Sequence, residues 1–507
     1  MGMKSLFLSV LSGLLLTLGF PKPELFYLSW VALVPLLLAL EGKSGKEAFL
    51  LGYVCGMAHY ASTLYWIQYV VQHFGGIPLP VAVLLVALLS GYLALYPACF
   101  AVAAHRWQGH PLLEIFGLPG VWVALEWVRG ALLTGFPWAN LGYTQTPWSL
   151  LIQAADVTGV FGLSWLVVLG STTVLSCLKG RCVRWSLPVF VLCLSGTLVY
   201  GGWRLDTVKA LEKTADSWTV AVIQGNIDQA RKWDPAFQQE TLRRYRELSM
   251  AAAARSPRPD LIVWPETAAP FFYGVEDDLT EQLNGMVREL GVPLLFGSPA
   301  ITLLDGEPRF QNRAYLVDAR ANILGWYAKQ HLVPFGEYVP LQKLLFFVHR
   351  LVQAAGDFVP GHDSQPLRWE DRGLGVLICY EGIFPSLARR TVLAGAAYLV
   401  NITNDAWYGR TSAPYQHLEI ERWRAIELRA PMIRAANTGI STVIDAAGES
   451  CGRIELDLQG EMVCTARSPG LLTIYARWGD FFVWFCMAAS MGCMVYSTLK
   501  RRSAKST

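Results

Sequence analysis

The chain has 507 residues, of which 53% are hydrophobic and only 16% charged, and its net charge is +3. An average soluble domain carries roughly 25% charge, so a wholly soluble enzyme, a disordered chain and a low-complexity polymer are excluded, and so small a charge gives no footing for nucleic acid. The ten cysteines form no CxxC pair and no Cys/His zinc spacing, so neither a disulfide scaffold nor a metal site is indicated.

The charge is unevenly spread. Fifteen charged residues fall in Met1–Trp203 and 66 in the 304 residues that follow, so an apolar half is joined to one of ordinary soluble composition. Runs near the ~20 residues that span a bilayer occur at Ser5–Phe20, Leu25–Leu40, Phe49–Val71, Pro80–Ala104, Ile115–Leu133, Val160–Leu178 and Leu187–Trp203, with an eighth at Phe481–Leu499. The first is similar to a signal peptide, but Thr17–Lys22 has no small-x-small cleavage site, and it is taken as a membrane helix. With the N-terminus in the cytoplasm, the inner segments carry eleven Lys and Arg: Lys4, Lys43, Lys46, Arg106, Lys179, Arg181, Arg184, Lys500, Arg501, Arg502 and Lys505. The short outer segments carry two, Lys22 and Arg129, and this asymmetry predicts that the region from about Arg204 to Arg477 lies outside the cytoplasm, with both termini inside.

Two charges fall within the membrane half. Glu126 and Arg129 stand three apart on one predicted helix, before the aromatic stretch Gly135–Tyr143. Charges at that depth are costly unless paired or functional. Two accounts stand: an internal ion pair that locks the helix, or an Arg129 that faces a lipid headgroup phosphate.

From Trp218 short β-branched runs alternate with helical stretches. Predicted strands are Thr219–Gln224, Leu261–Trp264, Pro293–Phe296, Ala314–Val317, Gly373–Cys379, Ala397–Asn401 and Ser441–Ile444; predicted helices are Phe237–Ala254, Asp278–Leu290, Ile383–Ala394 and Tyr415–Ala430. The alternation predicts an α/β domain with helices covering sheet faces. Arg453–Leu458 and the segment after Gln459-Gly460 read as a hairpin, with Cys451 and Cys464 at its shoulders in a register that does not pair them. Leu341–Val352 is mostly apolar, with Lys343 and Arg350 on one side, which suits a helix lying in the membrane interface or one buried in the core.

Three segments carry chemistry. Leu261–Glu266 is an apolar strand ending in a carboxylate; Tyr327–Glu337 sets Lys329 and Glu337 eight apart in a loop rich in Pro, Gly and aromatics; Leu374–Gly382 delivers Cys379 to a strand end just before a helix. Singly, Glu266 reads as a cap or surface acid, the lysine loop as a solvated turn and Cys379 as an inert apolar residue. Together they supply a base, a cation and a nucleophile. Helix N-terminal amides and Lys329 would stabilise a Cys379 thiolate and the oxyanion formed on attack, and Glu266 would take the thiol proton and later that of an incoming amine.

The order W-P-E, K-x-H-L-V-P-F-G-E, C-Y-E resembles the Glu–Lys–Cys triad of the nitrilase superfamily. The whole chain, with its polytopic half, its E-W-V-R…G-F-P-W segment and its closing helix, resembles the apolipoprotein N-acyltransferases of bacterial inner membranes. The resemblance implies a membrane domain of about eight transmembrane helices plus a nitrilase-like α-β-β-α sandwich. Its domains would be 1–204 (seven helices), 217–477 (periplasmic and catalytic) and 478–507 (last helix and basic tail). It implies Glu266 as general base, Lys329 as oxyanion stabiliser and Cys379 as acylated nucleophile. Glu337 would orient Lys329 or assist the base, and Tyr380 and Glu381 would support the elbow and the substrate amine. Trp233, Asn404 and Trp407 match motifs near the pocket, and with Arg129 are the expected substrate contacts. The expected partners are a phospholipid acyl donor, phosphatidylethanolamine above others, a diacylglyceryl apolipoprotein acceptor and the bilayer; a monomer without cofactor or metal is expected. A membrane-tethered amidase with water as acceptor, or a transporter with an outer binding domain, are the rival readings.

Overall fold

The computed structural model describes residues 2–110, 113–181, 183–232, 234–338 and 358–506, with side chains as far as residue 499. The chain divides into two compact units: Met1–Tyr69, Pro78–Asp206 and Trp478–Thr507 form the first, Val70–Ile77 and Thr207–Arg477 the second. The predicted helix Leu341–Val352 lies outside the described residues.

The first unit is helical. Among the described residues five helices are long and apolar enough to cross a membrane: Leu79–Trp107, Leu113–Thr134, Val160–Lys179, Val183–Thr214, whose end runs on into the second unit, and Phe481–Leu499. Met3–Leu18 and Phe26–Ala39 are shorter apolar helices. Gly45–Thr63 has the length but carries Lys46, Glu47, His59, Ser62 and Thr63; its N-terminus is closed by a capping box in which Ser44 and Glu47 satisfy each other's backbone amides. It lies close against Leu79–Trp107, where a Cβ on Gly56 would come within 2.7 Å of Ala94 Cα. Only small residues allow helix backbones to approach so closely.

The second unit is built on two six-stranded sheets. The strands are β1 (Ser217–Gln224), β2 (Leu261–Val263), β3 (Leu294–Leu304), β4 (Glu307–Val317), β5 (Ile323–Ala328), β6 (Leu367–Trp369), β7 (Arg372–Ile378), β8 (Tyr398–Thr403), β9 (Met432–Ala436), β10 (Ser441–Ile444), β11 (Ser450–Ile454) and β12 (Gly460–Arg467). One sheet runs β12-β1-β2-β3-β4-β5 and the other β11-β10-β9-β8-β7-β6. Alternation along each strand sends one set of side chains inward, so Val220, Val222, Val263 and Leu295 of the first sheet share a core with Val376, Ile378, Val400 and Ile402 of the second. The opposite face of the first sheet, with Ile223, Ile262 and Phe296, packs on Leu242 and Tyr245 of helix Pro235–Ala253 and Met286 and Val287 of Asp277–Leu290. Helices Pro385–Leu393 and Ala413–Leu428 cover the second sheet. The result is the expected α-β-β-α layering.

The structure corrects the hairpin. β11 pairs with β10 and β12 with β1, so the strands on either side of Gln459-Gly460 belong to different sheets. Cys451 and Cys464 are joined in a disulfide, with Cα atoms 6.2 Å apart, across the edges of the two sheets. The expected mismatch assumed one shared ladder; a crossover from sheet to sheet removes that constraint.

Candidate active site

The central strands β1–β2–β3 and β7–β8–β9 are parallel; Glu266 and Cys379 lie where the chain leaves two of them at their carboxyl ends, and Lys329 follows the antiparallel edge strand β5. Glu266 follows β2. The turn after it holds Thr267 at φ 51°, and β3 passes so close that a Cβ on Gly297 would lie 2.3 Å from the Thr267 nitrogen. Glycine there is what allows the Glu266 turn to sit on the sheet. Glu266 is buried; its Oε1 accepts from Asn312 Nδ2 at 2.7 Å, while its Oε2 is buried with no hydrogen-bond partner.

Lys329 directly follows β5. Its backbone is fixed by N–H donation to Asn312 O at 2.9 Å and acceptance from Gly361 N at 2.8 Å. The buried Nζ lies 2.9 Å from Glu337 Oε1 and 3.6 Å from Glu266 Oε1. Burial works against the ammonium, but Glu337 and then Glu266 overcome it and hold it above the ordinary lysine range. Glu337 is itself held by the Val333 N–H on Oε2 at 2.8 Å. Its Oε1 is the oxygen that meets Lys329.

Cys379 ends β7 at φ 53°, a left-handed conformation costly for any residue with a Cβ. Strain of this kind persists only where the surroundings enforce it, and here they do. Glu381, fully buried in the 3-10 turn Cys379–Ile383, accepts from Ile378 N at 2.7 Å, Gln330 N at 2.6 Å, His331 N at 3.0 Å and the Tyr327 hydroxyl at 3.0 Å. One carboxylate thus ties the Cys379 elbow to the Lys329 loop. Both of its oxygens accept from protein donors. Asn401 Nδ2 donates to Cys379 O at 3.1 Å and secures the elbow from β8. Burial, and next the charge of Glu266, push the Cys379 thiol up against the pull of Lys329.

The remaining predicted residues sort by what they touch. Tyr380 packs edge-on against Phe384 at 5.1 Å, with the His331 ring tilted against Phe384 at 3.9 Å. Asn404 donates to Gln229 Oε1 at 2.6 Å and accepts from Asn437 Nδ2 at 3.1 Å, so it bolts down the loop after β1 and its amide is spent on protein. Trp407 meets Phe74 edge-on at 4.7 Å. Trp233 lies outside the described residues. Arg129, in the first unit, is 1% exposed and donates to Trp138 O at 2.7 Å and Asn140 Oδ1 at 2.5 Å, with Tyr60 beneath it. Glu126 accepts from Leu141 N at 2.6 Å and Trp122 Nε1 at 2.9 Å. Among the described residues Glu126 and Arg129 form no ion pair with each other; both side chains hold the loop 138–141, whose backbone groups would otherwise be unsatisfied.

Two residues of the site escaped sequence reasoning. Asn312, on β4, touches Glu266, and Lys232 donates from a buried Nζ to Glu266 O at 3.0 Å. Lys232 stands beside the Trp233 already singled out, and a lysine flanked by Arg231 and Trp233 gives no sign of facing inward.

A family model described as "Apolipoprotein N-acyltransferase N-terminal domain" matches residues 12–173, and one described as "Carbon-nitrogen hydrolase" matches residues 219–468. An apolipoprotein N-acyltransferase of Geobacter metallireducens is 44% identical over 95% of this chain and 93% of its own length. One from Methylococcus capsulatus is 34% identical over 94% of this chain and 93% of its own. Among solved structures, a carbon-nitrogen hydrolase from Helicobacter pylori aligns with 52% of this chain and 94% of its own at 16% identity, with a TM-score of 0.41.

Proposed function

The chain belongs to the apolipoprotein N-acyltransferase family, and from that premise we propose that Glu266, Lys329 and Cys379 carry an acyl chain from a phospholipid to the α-amino group of a diacylglyceryl apolipoprotein. The observation that carries this reading is a buried carboxylate and ammonium 3.6 Å apart, at the strand ends where a strained elbow presents Cys379. Glu266, with one oxygen unpartnered, accepts the thiol proton as Sγ attacks the donor ester carbonyl. The tetrahedral oxyanion collapses, the lysophospholipid alkoxide leaves with the proton from Glu266, and the acyl group remains as a thioester. The acceptor amine then attacks the thioester, gives its proton to Glu266 and leaves as an amide, and the proton returns to sulfur. Because the resting thiol is protonated, activation happens only as substrate arrives, which protects an otherwise reactive sulfur.

The helical unit answers an energetic need. At about 0.8 kcal/mol per CH₂, drawing a ~16-carbon chain into water would cost on the order of 12 kcal/mol, so both lipids must reach the thiol from the bilayer. We count eight spans, the five long helices with Met3–Leu18, Phe26–Ala39 and Gly45–Thr63. We place 217–477 at the periplasmic face of the inner membrane and both termini in the cytoplasm. The eleven-to-two distribution of basic residues supports that topology, and so does the Cys451–Cys464 disulfide, a bond of oxidising compartments. We take phosphatidylethanolamine as donor and a monomer as the working unit.

The test is a two-substrate assay on the full chain in detergent, with fluorescent phosphatidylethanolamine and a diacylglyceryl lipopeptide. Wild type yields N-acylated peptide and lysophospholipid, and without acceptor mass spectrometry finds one acyl adduct, on Cys379. Cys379→Ala yields neither. Release of free fatty acid alone would make the protein a hydrolase, and an adduct elsewhere with Cys379 unmodified would overturn the assignment.

A further inference from the structure

The site contains a second buried ammonium that the three-residue scheme leaves idle. Lys232 is 2% exposed and forms one hydrogen bond, to the backbone carbonyl of Glu266 at 3.0 Å. Among the described residues no carboxylate lies within salt-bridge distance of it, so two of its three donors are unspent. An ammonium so buried is expensive unless some negative charge compensates it. It is not there through looseness of the chain. Lys232 N bonds Asp228 O at 3.0 Å, and the segment before it is bolted to the second sheet: Asn226 N to Asn437 O at 2.9 Å, Ile227 N to Asn437 Oδ1 at 2.9 Å, and Gln229 to Asn404.

The charges of the site explain its presence. Lys329 is the obvious partner for an anionic sulfur or oxyanion, yet its charge is already claimed by Glu337 at 2.9 Å. At rest the groups that take part in the proton transfer and hold Lys329 are Lys329, Lys232, Glu266 and Glu337, two cations and two anions; Glu381 is set apart by the backbone amides of Gln330, His331 and Ile378 that its oxygens accept from. When the thiol proton moves to Glu266, that carboxyl becomes neutral and the negative charge reappears on sulfur and then on the tetrahedral oxygen, so the count stays two and two. Without Lys232 it would be one cation against two anions at every step, in a low dielectric where the imbalance is felt strongly. We propose that Lys232 supplies the positive charge that balances the Cys379 sulfur and the tetrahedral oxygen while Glu337 holds that of Lys329. This rests on the acyl-transfer reading of the site.

Cys379 also feels Glu266, Lys329 and Asp405, and it in turn acts on Arg434 and Tyr408; Lys232 feels Glu266 and Cys379. Arg434 is matched by Asp405 at 2.6 Å and Lys329 by Glu337 at 2.9 Å, whereas Lys232, among the described residues, has no carboxylate of its own. Burial brings the Lys232 ammonium down to about 8, so its charge is lost just above neutral pH.

The test needs no lipid. The rate of Cys379 alkylation by neutral iodoacetamide is followed from pH 6.5 to 9.5 by peptide mass mapping of the full chain. In wild type the rate climbs with pH and then flattens near pH 8, because loss of the Lys232 charge raises the thiol as fast as hydroxide removes its proton. Lys232→Met is about tenfold slower at pH 7, one pKa unit in the thiol, and has no break. Lys232→Arg keeps the wild-type rate at pH 7 and also loses the break, a rescue that a packing role would not produce. A Lys232→Met profile within twofold of wild type, in protein of unchanged melting temperature, overturns the proposal. So does a break near pH 8 that survives in Lys232→Arg, which serves even where the methionine variant fails to fold. Wild-type protein alkylated elsewhere but never at Cys379 overturns this proposal and the acyl-transfer reading together; reactive Cys379 with no Lys232 effect overturns this proposal alone.

Discussion

Both units bury an acid–base pair of residues, Glu126 with Arg129 in the helical unit and Glu266 with Lys329 in the sheet unit, and the two differ in how their hydrogen bonds are used. Arg129 gives its guanidinium to Trp138 O and Asn140, and Glu126 takes the Leu141 amide and the Trp122 indole. Both bind neutral groups, chiefly of the loop 138–141, and each stands where a backbone turn needs a partner. Glu266 and Lys329 face each other at 3.6 Å; each pair's carboxylate has one buried oxygen without a hydrogen-bond partner, Glu126 Oε2 and Glu266 Oε2, so the contact between opposite charges is what sets the second pair apart. A buried charge that completes a loop is architecture; one held beside its opposite is set for a proton or an oxyanion. Residue type and depth alone would not separate the two.

The largest effect that tests this contrast comes from Glu266→Gln. The amide keeps the Asn312 contact and the shape of the site but cannot accept a proton. Acyl-enzyme formation measured by single-turnover mass spectrometry should fall about 10²–10⁴-fold, the usual worth of a positioned base, while the melting temperature stays near that of wild type. A variant that acylates within tenfold of wild type would move Glu266 into the architectural class.

That contrast was only partly legible in the sequence. The inward-facing strands announced themselves through unbroken β-branched runs, and Glu266, Lys329 and Cys379 through the motifs around them. β5 went unseen because, as an edge strand, its Ile323, Leu324 and Trp326 are exposed and no alternation survives. β9 was hidden by Arg434, a charge in mid-strand that is tolerable only because Asp405 and Glu421 meet it from β8's end and helix Ala413–Leu428. Asn312 and Lys232 were missed for a related reason: whether a polar side chain points into a site depends on the register of a neighbouring strand or the course of a loop, which composition does not record. The disulfide was discounted because a hairpin was assumed where the chain changes sheets.

Arg129→Met tests the other side of the contrast. Removing the guanidinium leaves Trp138 O and the Asn140 carbonyl oxygen buried without their donor, a loss of about 3 kcal/mol by the usual scale for breaking a buried charged interaction. The expected outcome is a lower melting temperature in detergent with acylation per folded molecule within a few-fold of wild type. Normal stability with acylation lost would show that Arg129 meets a substrate after all.

A third buried cluster asks whether saturated charges behave as architecture even beside the catalytic elbow. His417 lies between Asp405 at 3.1 Å and Glu421 at 3.0 Å, with Arg434 bonded to both acids and the Tyr408 ring alongside, all of them fully or nearly fully buried. Burial opposes the imidazolium, but Glu421 and Asp405 outweigh it and raise the ring to about 9, from 6.5 for an unperturbed histidine. A folded pKa above the unfolded one means that the folded state binds the extra proton. The stabilisation is therefore complete below pH 6.5 and drains away as pH rises towards 9, at no more than about 1.4 kcal/mol per pH unit. Wild type should lose several degrees of melting temperature between pH 6.5 and 9, and His417→Gln should be less stable at pH 6.5 and much flatter across the same window. Acyl-enzyme formation, corrected for folded protein, should follow the same pH profile in both. If the variant kept the wild-type stability slope, the proton would reside elsewhere; if it changed the pH profile of acylation instead, the cluster would belong with Glu266 and Lys329 as part of the chemistry rather than of the frame that holds Asn401 and Cys379 in place.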